Sequence, residues 1–325
     1  MIDEAADGHV RVTLTSSILR FVLVFMIGSL ISSLLQAIPL TIYLFLKTDV
    51  LSIALNAVNG GMSTEEMMAE IYAIVVDIPP IFTVIALICT VATAAASIFY
   101  CLKIEKRRLP SMGFRKGKAG MEYLSGMIIG LIMYGLTFLI AYASGSVTVK
   151  LNPDGVAPII ILFFIGYVIQ GAAEEILTRG YLMVSIARDY KPWIAIIFSA
   201  SMFMIMHTGN ASVSSLALVN ILLYGILMGI YVFKRGNIWG ACAIHSMWNF
   251  AQGNIFGSYV SGTSLSPSVL VMEYDPTRVL ANGGAFGLEG GAAATIVLLA
   301  SIGIALALKT NKNEISVLEL SLNNA

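Results

Sequence analysis

The sequence predicts an all-α fold, a polytopic transmembrane helical bundle of about eight spans, and three observations lead there. Hydrophobic residues make up 58% of the 325 residues and charged ones 12%, where a soluble domain carries roughly a quarter charged. Apolar runs of about 18 or more residues recur along the whole chain. The basic residues collect in alternate connectors between those runs. A formal net charge of zero supplies no field for nucleic acid, so membrane lipids are the expected surroundings.

The runs place spans at 18–46, 80–102, 121–143, 160–187, 193–209, 215–233, 238–256 and 290–308. At about 1.5 Å per residue the first exceeds a hydrocarbon core of about 30 Å, so it must tilt, kink near Pro39 or project. The polar, acidic N-terminus lacks the basic flank of a cleavable signal peptide, and the first span is expected to act as its own insertion signal. Neither a repeat nor a long hydrophilic stretch divides the chain, which predicts one integral membrane domain over 1–325. Cys89, Cys101 and Cys242 lie in or beside apolar runs without CxxC spacing and read as small core residues.

Orientation follows from the connector IEKRRLPSMGFRKGKAG, whose Lys106, Arg107, Arg108, Arg115, Lys116 and Lys118 follow Lys103 and mark the cytoplasmic side. Alternation puts Arg11, Arg20, Arg188, Lys191, Lys234, Arg235, Lys309 and Lys312 on the same side, leaving Lys47, Lys150 and Arg278 opposite. Both termini are therefore predicted cytoplasmic. Ser63 and Glu66 have the spacing of a capping box, which predicts a short interfacial helix over 63–76. Residues 257–289, rich in Gly, Ser and Pro, read as a flexible external loop.

Charged groups inside a span cost several kcal/mol, so each is a candidate functional residue. The fourth span holds Glu174, Glu175 and Arg179, the fifth His207, and the seventh His245 and Asn249; His9 sits in the polar N-terminal tail. Glu175 and Arg179, four apart, can pair along one helix face, whereas Glu174 is turned away by roughly 100° and is free to face a cavity. His245 and Asn249 share a face, and Phe203 lies one turn before His207. Glu174, thirteen residues from the span end at 187, and His207, fourteen from the start at 193, each lie roughly 20 Å from the cytoplasmic side. Gln170 and Asn220 read as helix-to-helix hydrogen bonds, and Met202, Met204 and Met206 as apolar lining.

These residues resemble the motifs of the CAAX-protease and bacteriocin-processing (CPBP, or Abi) family of intramembrane endopeptidases. Glu174, Glu175 and Arg179 match its EExxxR pattern, Phe203 and His207 its FxxxH, and His245 and Asn249 its HxxxN, in order within a catalytic core of about 157–256. The resemblance implies that Glu174 and His207 activate a water and that His245 and Asn249 stabilise the oxyanion. Glu175, Arg179 and Phe203 support them. The implied substrate is a membrane-associated or lipidated protein or peptide, with cytoplasmic access. No cofactor is called for; a zinc variant would use Glu174, His207 and His245 as ligands, although HExxH is absent. Cys242, three residues before His245, is the one thiol within helical reach of an imidazole in this set. The contrasting reading is a non-proteolytic scaffold, immunity protein or transporter with a structural polar cluster, and the paired inverted repeats of many transporters are not visible.

Overall fold

The computed structural model describes residues 1–6, 11–47, 50–76, 78–153, 158–263 and 267–307. His9, Lys309 and Lys312 lie outside them. Each predicted span is a helix: α1 Leu14–Lys47, α2 Ile81–Ile104 and α3 Ala119–Ala143, α4 Ile160–Ala187, α5 Pro192–Met206, α6 Ser215–Arg235, α7 Trp239–Phe250 and α8 Ala292–Ala307. Five of them, α1 to α4 and α6, are long and apolar enough to cross a membrane. The protein is an integral, multi-pass membrane protein. With 15 and 16 residues, α5 and α8 are only about 22 to 24 Å long.

Boundaries shift where hydrogen bonding, rather than hydropathy, ends a helix. The fifth run was expected to continue to 209, but α5 stops at Met206 and His207 forms its C-cap. α1 runs through Pro39 without a break. α2 is interrupted at Thr90, between Ile81–Cys89 and Val91–Phe99, where the Thr90 hydroxyl donates to the Leu87 carbonyl at 2.6 Å. Three spans contain wider π-helical turns, Tyr100–Ile104, Ile176–Met183 and Ala251–Ile255. The second directly follows Glu175, and the third begins two residues after Asn249.

At the centre stands α7, buried continuously from Gly240 to Asn249. It packs against α3 and α4 because glycines face it. A Cβ at Gly130 would lie 2.5 Å from the Ile244 carbonyl oxygen, and one at Gly171 would lie 2.8 Å from the Ser246 amide nitrogen. Small residues substitute for the hydrophobic effect here, since lipid offers helices no solvent contrast and only close packing holds them together. α1 crosses α2 in the same way, Gly28 lying against Thr93, while Leu19, Leu23, Leu30, Leu34 and Ile38 stay exposed in the direction lipid would occupy.

The connectors sort to two ends. At one end the basic connector is bonded to the rest: Ile238 N–H donates to the Gly113 carbonyl at 3.1 Å, and Trp239 Nε1–H to the Arg115 carbonyl at 2.9 Å. Arg107, one of the connector's basic residues, turns inward. It is 4% exposed and donates to Gly180 O at 2.9 Å and Ser185 Oγ at 3.0 Å, fastening this connector onto α4. Arg188 pairs with Glu105 at 2.9 Å.

The opposite end corrects one expectation. A two-stranded antiparallel sheet, β1 Val147–Leu151 paired with β2 Leu270–Tyr274, joins two external segments of this all-α bundle. The described part of 257–289 is a folded cap rather than a loose loop. Phe286 and Leu288 are fully buried, and buried Asn282 donates to the carbonyls of Ser146 and Asp275 at 2.7 and 2.9 Å. Gly287 adopts φ +102° where its backbone passes the Tyr259 carbonyl, a conformation that L side chains avoid. Its glycines are conformational requirements of a packed structure. The capping box predicted at 63–76 is present: Glu66 N–H donates to Ser63 Oγ at 3.2 Å and Ser63 N–H to Glu66 Oε2 at 2.8 Å, opening the helix Thr64–Val76.

Gly130→Leu should separate α7 from α3 and lower the melting temperature in detergent by several degrees, as overpacking of about 1–3 kcal/mol does. Gly135→Leu on the same helix, where nothing lies within 4 Å of an added Cβ, should melt like the unaltered protein.

Candidate active site

α4 supplies two carboxylates with separate surroundings. Glu175 and Arg179 are wholly buried and paired, Arg179 Nη1 to Glu175 Oε1 at 3.0 Å. The guanidinium also donates to Thr178 Oγ1 at 2.7 Å and to the Gly225 carbonyl at 3.1 Å, and it lies 4.6 Å from the Phe203 ring centroid, a cation–π distance. A Cβ at Gly225 would sit 2.9 Å from Ala200 and 3.3 Å from Arg179 Nη2, so α6 can bring its carbonyl to the guanidinium only because that residue is glycine. Thr178 Oγ donates to the Glu174 carbonyl at 2.6 Å, tying the π turn to the residue that precedes it.

Glu175 has a second function. Its Oε1 lies 2.9 Å from His245 Nδ1; an arginine-paired carboxylate accepts, so Nδ1 carries the hydrogen and Nε2 points elsewhere. It points at Glu174, 3.6 Å from Oε2. His207 Nδ1 lies 2.8 Å from the Phe203 carbonyl, which can only accept, and its Nε2 faces the same Glu174 oxygen at 4.0 Å. Glu174 Oε2 itself is buried without a hydrogen-bond partner. One unpaired carboxylate oxygen and two imidazole Nε2 atoms, from three helices, thus meet around one point.

The predicted set therefore comes together. Asn249 joins it indirectly, donating from Nδ2 to Gln170 Oε1 at 3.0 Å, while Gln170 donates to Glu174 Oε1 at 2.6 Å. Gln170, expected only to glue helices, belongs to the site, and its spacing of four from Glu174 was the available signal. Asn220 does act as glue, donating to the carbonyls of Glu289 and Gly291 at 2.8 and 2.9 Å. Both ring nitrogens of His245 face carboxylates, leaving Cys242 without a role in this geometry.

A cavity of about 490 Å³ contains the cluster, within the range of ligand sites. Tyr167, Tyr224 and Glu289 also line it, and none of the three stood out in the sequence. The Tyr167 and Tyr224 hydroxyls are buried and unpartnered, and the Tyr224 ring packs 5.3 Å from that of His245. Glu289 accepts from Ser261 N–H at 2.5 Å. Burial pushes its carboxyl above the ordinary range, against the hydrogen bonds from Ser261. Glu289 could be found only once the cap was folded over the bundle.

The model of the family described as type II CAAX prenyl endopeptidase Rce1-like matches residues 156–251. That segment is similar to the Rce1-like family, and it contains every motif residue from Glu174 to Asn249. No curated protein matches the chain. Within the Rce1-like segment, α4, α5, α6 and α7 are the helices that meet at the cavity.

Arg179→Ala strands the Glu175 carboxylate in the bundle and should cost about 3–5 kcal/mol, read as a large fall in detergent melting temperature. Glu175→Gln combined with Arg179→Met keeps an acceptor for His245 Nδ1–H and should recover most of the loss. A single variant melting like the unaltered protein would refute the pairing's structural importance.

Proposed function

We propose that the chain cleaves peptide bonds with a water activated by Glu174 and His207, the oxyanion being received by His245 and Asn249. The observation that carries this reading is the convergence of Glu174 Oε2 with His245 Nε2 at 3.6 Å and His207 Nε2 at 4.0 Å. These separations exceed a direct hydrogen bond, so the three groups face one point without bonding one another. With its Nδ1–H on the Phe203 carbonyl, neutral His207 offers a lone pair at Nε2. Glu174, steered by Gln170 on its other oxygen, takes the water proton as the hydroxide attacks the carbonyl, and returns it to the leaving amine.

His245 differs, because its Nδ1–H is committed to Glu175. To donate to an oxyanion it must carry a second proton on Nε2, and the two flanking carboxylates are the counter-charges for that imidazolium. Asn249 Nδ2 bonds Gln170 with one hydrogen and has a second for the oxyanion. Such preformed donors act on charge that appears only in the transition state.

The lining favours an internal cut. Among its described residues there is no lysine or arginine, so a free terminal carboxylate in the cavity would face Glu174 and Glu289 with no cation but the His245 imidazolium, which Glu174 and Glu175 already flank. A membrane-associated protein or peptide is the proposed substrate, and the family's description points to prenylated proteins. A zinc-dependent variant would use Glu174, His207 and His245; tetrahedral ligands at 2.0–2.2 Å sit roughly 3.3–3.6 Å apart, and Glu174 Oε2 lies 3.6 Å from His245 Nε2 and 4.0 Å from His207 Nε2. The proposed steps use no metal.

Glu174→Gln should abolish cleavage while leaving the protein folded, measured as accumulation of uncleaved precursor termini in membrane proteomes. Asn249→Ala should retain activity reduced roughly a hundred- to a thousandfold. Purified enzyme treated with a strong chelator should keep full activity. Turnover near the unaltered level in Glu174→Gln would reject the mechanism, and loss with the chelator that zinc restores would replace it with a metal-dependent one.

A further inference from the structure

The two ends of the bundle are chemically unlike, and the cavity belongs to one of them. Arg108, Arg115, Lys116, Lys118, Arg188, Lys191, Lys234 and Arg235 gather at the end where the connectors after α2, α4 and α6 meet. Contacts across that end hold those segments together: Val12 N–H donates to Asp189 at 3.3 Å, and Arg115 pairs with Glu4 at 3.1 Å. The other end carries β1, β2 and the cap. A basic excess in short connectors marks the cytoplasmic side.

None of the residues lining the cavity comes from the connectors at the basic end. The lining instead includes Asn210, Val260, Ser261, Thr263 and Glu289, all in segments at the cap end. The helical part of the wall agrees: Thr83 and Leu87 lie in the first turns of α2, and Asn220 and Ile221 in those of α6, both of which begin at the cap end. Below the cluster the bundle is closed. Leu177, Leu182, Ile186, Met228, Val232 and Ile238 are buried to 0% exposure between the Glu175–Arg179 pair and the basic end, so apolar packing, together with the bonded Arg107 and Ser185, fills the interior on that side.

We infer that the scissile bond reaches Glu174 from the non-cytoplasmic side, so that the substrate is a membrane-anchored or exported polypeptide whose cleaved segment has already crossed the membrane. This reverses the cytoplasmic access that family resemblance implies, and it rests on the endopeptidase reading for the word substrate alone. The access path itself is independent of catalysis. A prenylated cytosolic C-terminus would find the packed end of the bundle, whereas a translocated segment would meet Asn210, Thr263 and the cap.

The test is labelling of single cysteines in a background lacking Cys89, Cys101 and Cys242. The probes are Thr263→Cys and Asn210→Cys at the mouth, Gln170→Cys on the cavity wall and Lys116→Cys at the basic end, each checked for a monodisperse detergent-extracted peak. A small membrane-impermeant methanethiosulfonate is applied to sealed vesicles of known orientation. Right-side-out vesicles should label the first three from outside, and only inverted or permeabilised vesicles should label Lys116→Cys. Labelling of Gln170→Cys from the cytoplasmic face alone would overturn the inference. So would its failure to label from either face while Thr263→Cys reacts from outside, because no aqueous path would then reach the site from the cap end. Labelling requires no turnover, so the result stands apart from whether Glu174→Gln blocks cleavage.

Discussion

The site depends on the buried pair between Glu175 and Arg179. A charge without a partner in this interior would be costly, and the guanidinium is held from three further directions: the Thr178 hydroxyl, the Gly225 carbonyl of α6 and the Phe203 ring of α5. Satisfying the guanidinium therefore fixes α4, α5 and α6 together. The carboxylate extends the same network to α7 by receiving His245 Nδ1–H. The two imidazoles are thus fixed in direction by the Phe203 carbonyl and by Glu175, which leaves Glu174 as the one carboxylate of the two facing the cavity. Groups held in this way by rigid surroundings need little reorganisation when charge develops.

Close helix approach makes that network possible. Gly171 and Gly130 let α7 lie against α4 and α3, so His245 and Asn249 reach residues of α4 directly. The π turn beginning at Ile176 follows the two glutamates, and such turns are frequent at functional sites because they re-aim side chains within an otherwise regular helix. The short α5, ending at Met206, leaves His207 at a helix terminus where its ring can bond back to the Phe203 carbonyl.

Much of this was legible in the sequence because lipid is a severe solvent. Apolar runs marked the helices, and the rarity of charge within them singled out Glu174, Glu175, Arg179, His207 and His245 without reference to any fold. Spacing by four foretold the Glu175–Arg179 pair. The cap was not legible, since its glycines and serines have the composition of a loop, while its order comes from long-range bonds such as those of Asn282 to Ser146 and Asp275. Glu289, Tyr167 and Tyr224 were hidden for related reasons: the first lies in the segment that reads as a loop, and the phenols are unmarked members of apolar runs. Gln170 was visible but ambiguous, because an amide that orients a carboxylate and one that joins two helices look alike in a sequence.

A bundle with one packed basic end and one capped end holding a polar cavity is a directional device, and its chemistry centres on one claim: Glu174, His207, His245 and Asn249 surround a single tetrahedral centre. An experimental structure with a peptidyl phosphonate, whose tetrahedral phosphorus imitates the attacked carbonyl, measures this most directly. The account predicts one phosphonate oxygen within hydrogen-bond distance of His245 Nε2 and Asn249 Nδ2, and another beside Glu174 and His207. A phosphonate bound with its phosphorus remote from Glu174, in an otherwise unchanged bundle, would contradict it.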